Sequence, residues 1–331
     1  ERIMSRIFQK ARLKPKRIVF PEGDEPRIMK AAIQSVDEGI AKPILLGNEE
    51  RIRATASELN YDLEGIEIIN PKNSPKLVKY IDEYFNLRNR KGITMQSARK
   101  TLLRMPNYFG AMMVHLGDAD GMISGLTSHY PDTIRPALSI IGRDSKYQKV
   151  SGLYILSTKK DTYFLSDTTV NVDPSPETLA DITLQAADFA TNFDIKPRVA
   201  MLSYSNFGSA NGESPEKVIK AIEIIRQRKP DLIIDGEMQA DTAVVPDIVN
   251  DTYPFCSVKG DANILIFPDL NSGNISYKLL NRIGGAHAIG PVLLGLSKAV
   301  HVLQRGAEVH EILNMIGIAA VDCIHKEELN K

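Results

Sequence analysis

The 331-residue chain has no tryptophan and only two cysteines. Cys256 and Cys323 stand far apart, with no CxxC and no cysteine–histidine cluster, which argues against a zinc site. Two lone thiols suit a reduced, cytoplasmic setting. The six histidines are scattered and include no HExxH. Excess charge is lacking too: 41 Lys and Arg balance 41 Asp and Glu, which argues against a nucleic-acid binder built on a basic surplus. No apolar run approaches the roughly 20 residues that span a bilayer. The opening ERIMSRIFQKARLKPKRIVF has no apolar core of a secretory signal. It reads as a surface helix leading into a strand, with a basic transit peptide as the other reading. Position 1 is not Met, as expected of a trimmed chain or a piece of a longer protein. Neither GxGxxG nor GxxxxGK[ST] occurs, so the dinucleotide fingerprint and the P-loop are both missing.

What is present is alternation. Strand-like runs at Arg17–Pro21, Lys42–Leu46, Ile66–Ile69 and Gly121–Ser124 alternate with helical spacing over Glu25–Glu38, Ser74–Leu87 and Thr94–Arg104. This is the rhythm of a mainly parallel sheet covered by helices. A second set begins near Lys149. Val150–Leu156 and Tyr163–Leu165 flank a link too short for a crossover helix, which predicts a hairpin. Strands are expected at Arg198–Tyr204, Leu232–Asp235 and Ile264–Pro268, and helices at Pro176–Phe193, Pro215–Lys229 and Val309–Asp322. At this length two α/β lobes are expected: 1–147 completed by 300–331, and 148–299. A ligand cleft is expected between them, where loops at the carboxyl ends of strands converge.

Several polar segments are candidate sites. Arg88 ends a basic helix, where a solvated face is the plain reading. Arg135 follows the hydroxyl-rich Gly125–Thr133, including Thr127 and Ser128, and Pro136 is expected to hold it away from helix. A guanidinium fork there suits phosphate or an ordinary salt bridge. Ser175 before Pro176 reads as a helix cap, while Asp167 and Asn171 are open to a structural or a functional role. Ser203–Asn211, with Ser205, Gly208 and Ser209, follows a strand and suits a backbone-lined anion loop. Asp235–Asp241 places acids at a sheet edge, a possible metal-carboxylate set. Arg282 falls late in a short helix, where the dipole alone favours a cation. Arg305 precedes a helix, where a cation opposes the dipole and a bound anion would compensate.

The ordered signatures FPEGDEPRIMKAA, RKGITMQSA, DADGMISGLT with TIRPAL, SDTTVN, VAMLSYSNFGSA, DGEMQAD and ANILIFPDLNSGNISYKL resemble the phosphate acetyl/butyryl transferases over nearly the whole chain. The resemblance implies two α/β lobes of the isocitrate/isopropylmalate dehydrogenase type, a site for coenzyme A and acetyl phosphate, and no metal. It places the substrate arginines at Arg88, Arg135, Arg282 and Arg305. It also implies a serine beside the last arginine and an aspartate six residues after it, but here those positions are Gln304 and Glu311. Glutamine does not titrate near neutral pH and cannot be a general base.

Together with the ending HVLQRGAEVHEILNMIGIAAVD and the stretch MPNYFGAMMVHLGDADGMISGLTSHYPDTIRPAL, these departures resemble the C-terminal domain of large NADP-dependent malic enzymes. The expectation is therefore an acetyl-CoA-binding regulatory domain without transferase activity. NADP and a divalent metal would belong to a separate malic domain of the same polypeptide. The alternative is an active phosphate acetyltransferase or butyryltransferase. A dehydrogenase on the same fold has no supporting motif. A homodimer or larger homo-oligomer is expected through the second lobe, with Glu177–Phe193 and Val218–Ile225 as its apolar segments.

Overall fold

A computed structural model describes residues 2–331. The elements run α1 (Arg2–Leu13), β1 (Lys16–Phe20), α2 (Pro26–Asp37), β2 (Ala41–Leu46), α3 (Glu49–Glu58), β3 (Glu67–Ile69), α4 (Leu77–Arg88), α5 (Met95–Arg104), α6 (Pro106–His115), β4 (Gly121–Ser124) and α7 (Tyr130–Pro136). They continue with β5 (Ser151–Ser157), β6 (Thr162–Ser166), α8 (Pro176–Thr191), β7 (Arg198–Leu202), α9 (Glu213–Arg228), β8 (Ile233–Met238), α10 (Ala240–Val244), α11 (Pro246–Thr252), β9 (Ile264–Ile266), α12 (Leu270–Arg282) and β10 (His287–Leu294). The chain closes with β11 (Ala299–Val302) and α13 (Val309–Leu329). Two compact units result: Arg2–Asp144 with Leu296–Lys331, and Ser145–Gly295.

The first unit holds a five-stranded sheet in the order β11-β4-β1-β2-β3, parallel throughout. Burial explains the strand sequences. Ile18, Val19 and Phe20 of β1 are fully buried, as expected of a central parallel strand covered on both faces. α2 turns Ile28, Met29, Ala31 and Ala32 inward, and α13 packs against α1, α2 and the sheet. Chain order reverses at β1: β2 and β3 lie on one side of it, β4 and β11 on the other. The carboxyl ends of β1 and β4 therefore flank the crevice where open α/β sheets bind ligands.

The second unit holds a six-stranded mixed sheet, β10-β5-β6-β9-β7-β8. The β5–β6 hairpin is antiparallel, and β6, β9, β7 and β8 run parallel. β10 adds to the edge, with its register shifted between Ile289 and Val292 around Gly290-Pro291. Proline lacks a ladder donor, so a bulged edge strand is where it fits.

α8 and α9 do not offer the apolar faces expected for dimerisation. Leu179, Ile182, Ala186 and Phe189 are buried inside the chain, as are Val218, Ala221, Ile222 and Ile225. α8 is sandwiched between α9 and the sheet, which consumes both faces. Among the described residues, no helix is long and apolar enough to cross a membrane.

Candidate active site

Three loops leave the carboxyl ends of β1, β4 and β11 at the reversal. The first follows β1 and carries Glu22, 9% exposed. The second follows β4 and runs Gly125-Leu126-Thr127-Ser128. The third follows β11 and contains Gln304 and Arg305. Gly125 must be glycine: its φ is +114°, and a Cβ there would lie 2.9 Å from the Leu303 carbonyl oxygen. The second and third loops are tied together, because the Leu303 amide donates to Ser124 O at 2.7 Å and the Gly306 amide to Leu126 O at 3.3 Å. Arg27, from the first turn of α2, donates to Ala307 O at 2.9 Å and anchors the third loop.

Thr127 and Ser128 were expected to face a ligand, but their donors go to Glu22. Thr127 gives its amide at 2.7 Å and its hydroxyl at 2.6 Å, and Ser128 its amide at 3.2 Å and its hydroxyl at 3.3 Å, all to Glu22 Oε2. Burial pushes the Glu22 carboxyl up, but the Thr127 hydroxyl and the amides of Thr127, Leu126 and Gly125 outweigh it, and the net shift is downward.

Arg135 lies in α7 rather than in an extended loop. Pro136 has no N–H to give the Asp132 carbonyl, and the Asn107 side-chain amide supplies that bond instead, at 3.2 Å. A wide π-helical turn over Ala137–Ile141 then continues the chain. Substituted donation and a widened turn remove the usual penalty of an internal proline.

The charges of Arg88, at the end of α4, and Arg135 both act on the Tyr108 phenol. Burial raises the Tyr108 hydroxyl, the charges of Arg135 and Arg88 oppose that, and Asp132 adds to it. Tyr108 packs edge-on against Tyr84, with ring centroids 5.7 Å apart. Tyr108 falls within MPNYFGAMMVHLGDADGMISGLTSHYPDTIRPAL, but nothing in that stretch singles it out as a site residue. Arg135 and Arg305 are exposed, and among the described residues neither they nor Arg88 make an ion pair. Three guanidinium groups without carboxylate partners on one unit are unusual for a salt-bridged structural role.

The expected anion site at the start of α13 is filled from within. α13 begins at Val309, so Arg305 lies outside its first turn. Glu308 and Glu311 form a reciprocal capping box, with the Glu308 amide donating to Glu311 Oε2 at 2.7 Å. Two carboxylates already complement the dipole there.

In the second unit, Ser205, Gly208 and Ser209 do not form an open anion loop. Ser205 is buried and its hydroxyl accepts from the Ala210 amide at 3.0 Å, while the Ser209 hydroxyl accepts from the Asn206 amide at 2.9 Å. The Gly208 amide donates to Glu237 at 3.1 Å. Asp167 is structural, since it accepts from the amides of Gly152, Thr169, Val170 and Asn171 and from the Asn171 side chain. Asp235 and Glu237 do not gather into one carboxylate set: Asp235 accepts from the Ser257 amide at 2.8 Å, while Glu237 serves Gly208. No group of three or more His, Cys, Asp or Glu able to hold a metal occurs among the described residues. Arg282 closes α12 and is exposed. Both cysteines are free and buried, and burial pushes the Cys256 thiol up to about 11, with Asp235 adding to it. A separate crevice of about 770 Å³ opens at the carboxyl ends of β2 and β3, lined by Asn48, Arg53, Asn70, Lys76 and Tyr80, and holds none of these arginines.

Residues 2–320 match the phosphate acetyl/butaryl transferase family, and the chain belongs to it. It is 39% identical over 322 residues to a phosphate acetyltransferase of Bacillus subtilis (strain 168), which covers 97% of this chain and 99% of that protein. A phosphate acetyltransferase of Nitratidesulfovibrio vulgaris shares 42% over 315 residues, 95% of this chain but 45% of that protein, so the chain spans less than half of that relative. A phosphotransacetylase from Streptococcus pyogenes superposes with a TM-score of 0.94 at 38% identity, covering 98% of each chain.

These matches overturn the expectation of a malic-enzyme regulatory domain. A transferase is matched from end to end, whereas the NADP-dependent malic enzyme of Escherichia coli (strain K12), at 40% identity, is covered over 43% of its length. The NADP, oxidoreductase and multifunctional attributes fall with that expectation. Gln304 and Glu311 do not outweigh a transferase match from end to end.

Proposed function

We propose that the chain is a phosphate acetyltransferase that moves an acetyl group between acetyl phosphate and coenzyme A. The observation that carries this reading is that Arg135 and Arg305, neither with an ion pair among the described residues, belong to segments whose loops are hydrogen-bonded to each other at the strand-order reversal, on a chain that a transferase matches from end to end. The coenzyme A thiolate attacks the acetyl carbonyl carbon, the C–O bond to phosphate breaks, and acetyl-CoA and phosphate leave. Arg305 and Arg135 hold the phosphate as charge-assisted donors, and Arg88 is assigned to a remaining anionic group. Gln304 donates an amide N–H to the developing oxyanion and takes no proton. Glu311 is the carboxylate assigned to receive the thiol proton, at a reach one methylene longer than aspartate. A cytoplasmic location belongs to this reading and is supported by the two reduced, buried thiols.

Thioester formation from acetyl phosphate and coenzyme A tests it. The wild-type chain is expected to turn over, and Gln304→Ser to raise kcat by up to about 10², the lower range of general-base contributions. Thioester formation no faster than that of Arg305→Ala would sink the reading.

We also propose a homodimer, through α12 rather than α8 or α9. Ile275, Leu279 and Ile283 form an apolar stripe at spacing four, 55%, 51% and 82% exposed, and Val172 beside it is 69% exposed. Light scattering is expected to give twice the chain mass for wild type and the single mass for Ile275→Asp/Leu279→Asp. A monomeric wild type refutes the dimer.

A further inference from the structure

We propose that Glu22 is a resident anion: its carboxylate occupies the backbone nest of loop 125–128, positions Arg135 and Arg305, and denies those amides to the substrate phosphate. The proposal deepens the transferase reading and rests on it for its kinetic part only.

The geometry is that of an anion site already filled. Four successive amides point at one carboxylate. Gly125 and Leu126 donate to Oε1 at 2.7 and 2.9 Å, and Thr127 and Ser128 to Oε2 at 2.7 and 3.2 Å. The hydroxyls of Thr127 and Ser128 add two more donors, while the Ser124 hydroxyl gives its one proton to Asn107 Oδ1 at 2.6 Å. Consecutive amides turned to one point form the concavity that elsewhere cradles phosphate. The carboxylate has both oxygens saturated and is itself buried, so a phosphate could enter only by displacing it.

The consequence reaches both arginine-bearing segments. Loop 125–128 leads directly into α7 and so sets where Arg135 starts. Its Leu126 carbonyl, with that of Ser124 just before it, receives the amides of the Arg305 loop. Without the carboxylate, four amides lose their common acceptor, and the loop holding both arginines loses its fixed shape. Glu22 is then a positioning residue, and the phosphate is recognised by guanidinium side chains rather than by backbone. That choice favours a substrate whose phosphate must leave again, because side-chain donors withdraw more readily than a rigid nest.

Glu22→Ala leaves a space for a small carboxylate, which allows refilling to be measured directly. In Glu22→Ala the KM for acetyl phosphate is expected to rise about tenfold or more, the equivalent of one charge-assisted hydrogen bond, while the KM for coenzyme A stays within about twofold. Sodium formate should restore the acetyl phosphate KM with saturation, and sodium chloride at equal ionic strength should not. Formate should also raise the thermal midpoint of Glu22→Ala and leave the wild-type midpoint unmoved. This second readout needs no activity, so it stands even if the transferase reading fails. An unchanged KM together with a midpoint indifferent to formate overturns the proposal. If Glu22→Ala does not fold, Glu22→Gln serves instead: a raised acetyl phosphate KM that formate cannot repair supports the nest, and wild-type kinetics refute it.

Discussion

Replacing Arg305 with alanine is expected to lower kcat/KM for acetyl transfer by about 10²–10³, the scale of losing one preorganised electrostatic donor. The reason lies in what surrounds the residue. Arg305 is exposed and has no ion pair among the described residues, yet its loop is pinned on both sides, by Leu303 and Gly306 to the β4 loop and by Arg27 at Ala307. A cation on a pinned loop, with no ion-pair partner among the described residues, is placed for a ligand. Removing the side chain leaves those backbone bonds intact, so the fold should be undisturbed. Arg305→Lys should recover only part of the loss, because an ammonium keeps the charge but not the planar fork. Steady-state kinetics with both substrates, alongside urea unfolding of each variant, provide the check. Full activity in Arg305→Ala would remove this loop from the chemistry.

Much of the architecture was legible because burial imposes period. α2 and the β5–β6 hairpin follow directly from apolar spacing and link length. The elements that escaped did so for identifiable reasons. α6 is apolar around most of its circumference, with Phe109 to Val114 all buried, so no stripe marks it as helix. α3 buries only Ile52 and Ala56 and otherwise presents charge. β11 carries His301 at its centre, and β10 carries Gly290-Pro291, both of which look foreign to a strand.

The site was legible by residue type but not by partner. Arg88, Arg135 and Arg305 stand out in the sequence. That Glu22 takes the donors of Thr127 and Ser128, and that Glu311 joins a capping box, depends on contacts across 105 residues in one case and on local cap geometry in the other. The error about function had a different source. Two substituted positions, Gln304 and Glu311, and the malic-enzyme likeness of two stretches were set against end-to-end similarity to transferases.

The largest stability effect is expected at Asp322, the acceptor that makes His301 tolerable inside β11. His301 is fully buried and its Nε2 lies 2.9 Å from Asp322 Oδ2, to which Lys326 also donates at 3.2 Å. Burial pushes the Asp322 carboxyl up, but Lys326 and His301 outweigh it and hold the group at about 2, below the ordinary 3.8. A lowered carboxylate contributes its stability fully above the unfolded value and loses it as pH falls through the folded one. The stabilising effect should therefore be complete above about pH 4 and fade towards pH 2. Asp322→Ala removes the shared acceptor and leaves the buried His301 Nε2 without its partner, which typically costs about 1–3 kcal/mol. Urea unfolding at neutral pH is expected to show that loss as a lower midpoint with an unchanged slope. Asp322→Asn should cost less, since the amide oxygen still accepts one bond. As pH falls to about 2 and below, the difference between wild type and Asp322→Ala should shrink steadily, because protonation removes the same charge. A difference that stays constant from neutral pH to pH 2.5 would show that Asp322 acts through packing rather than through its carboxylate.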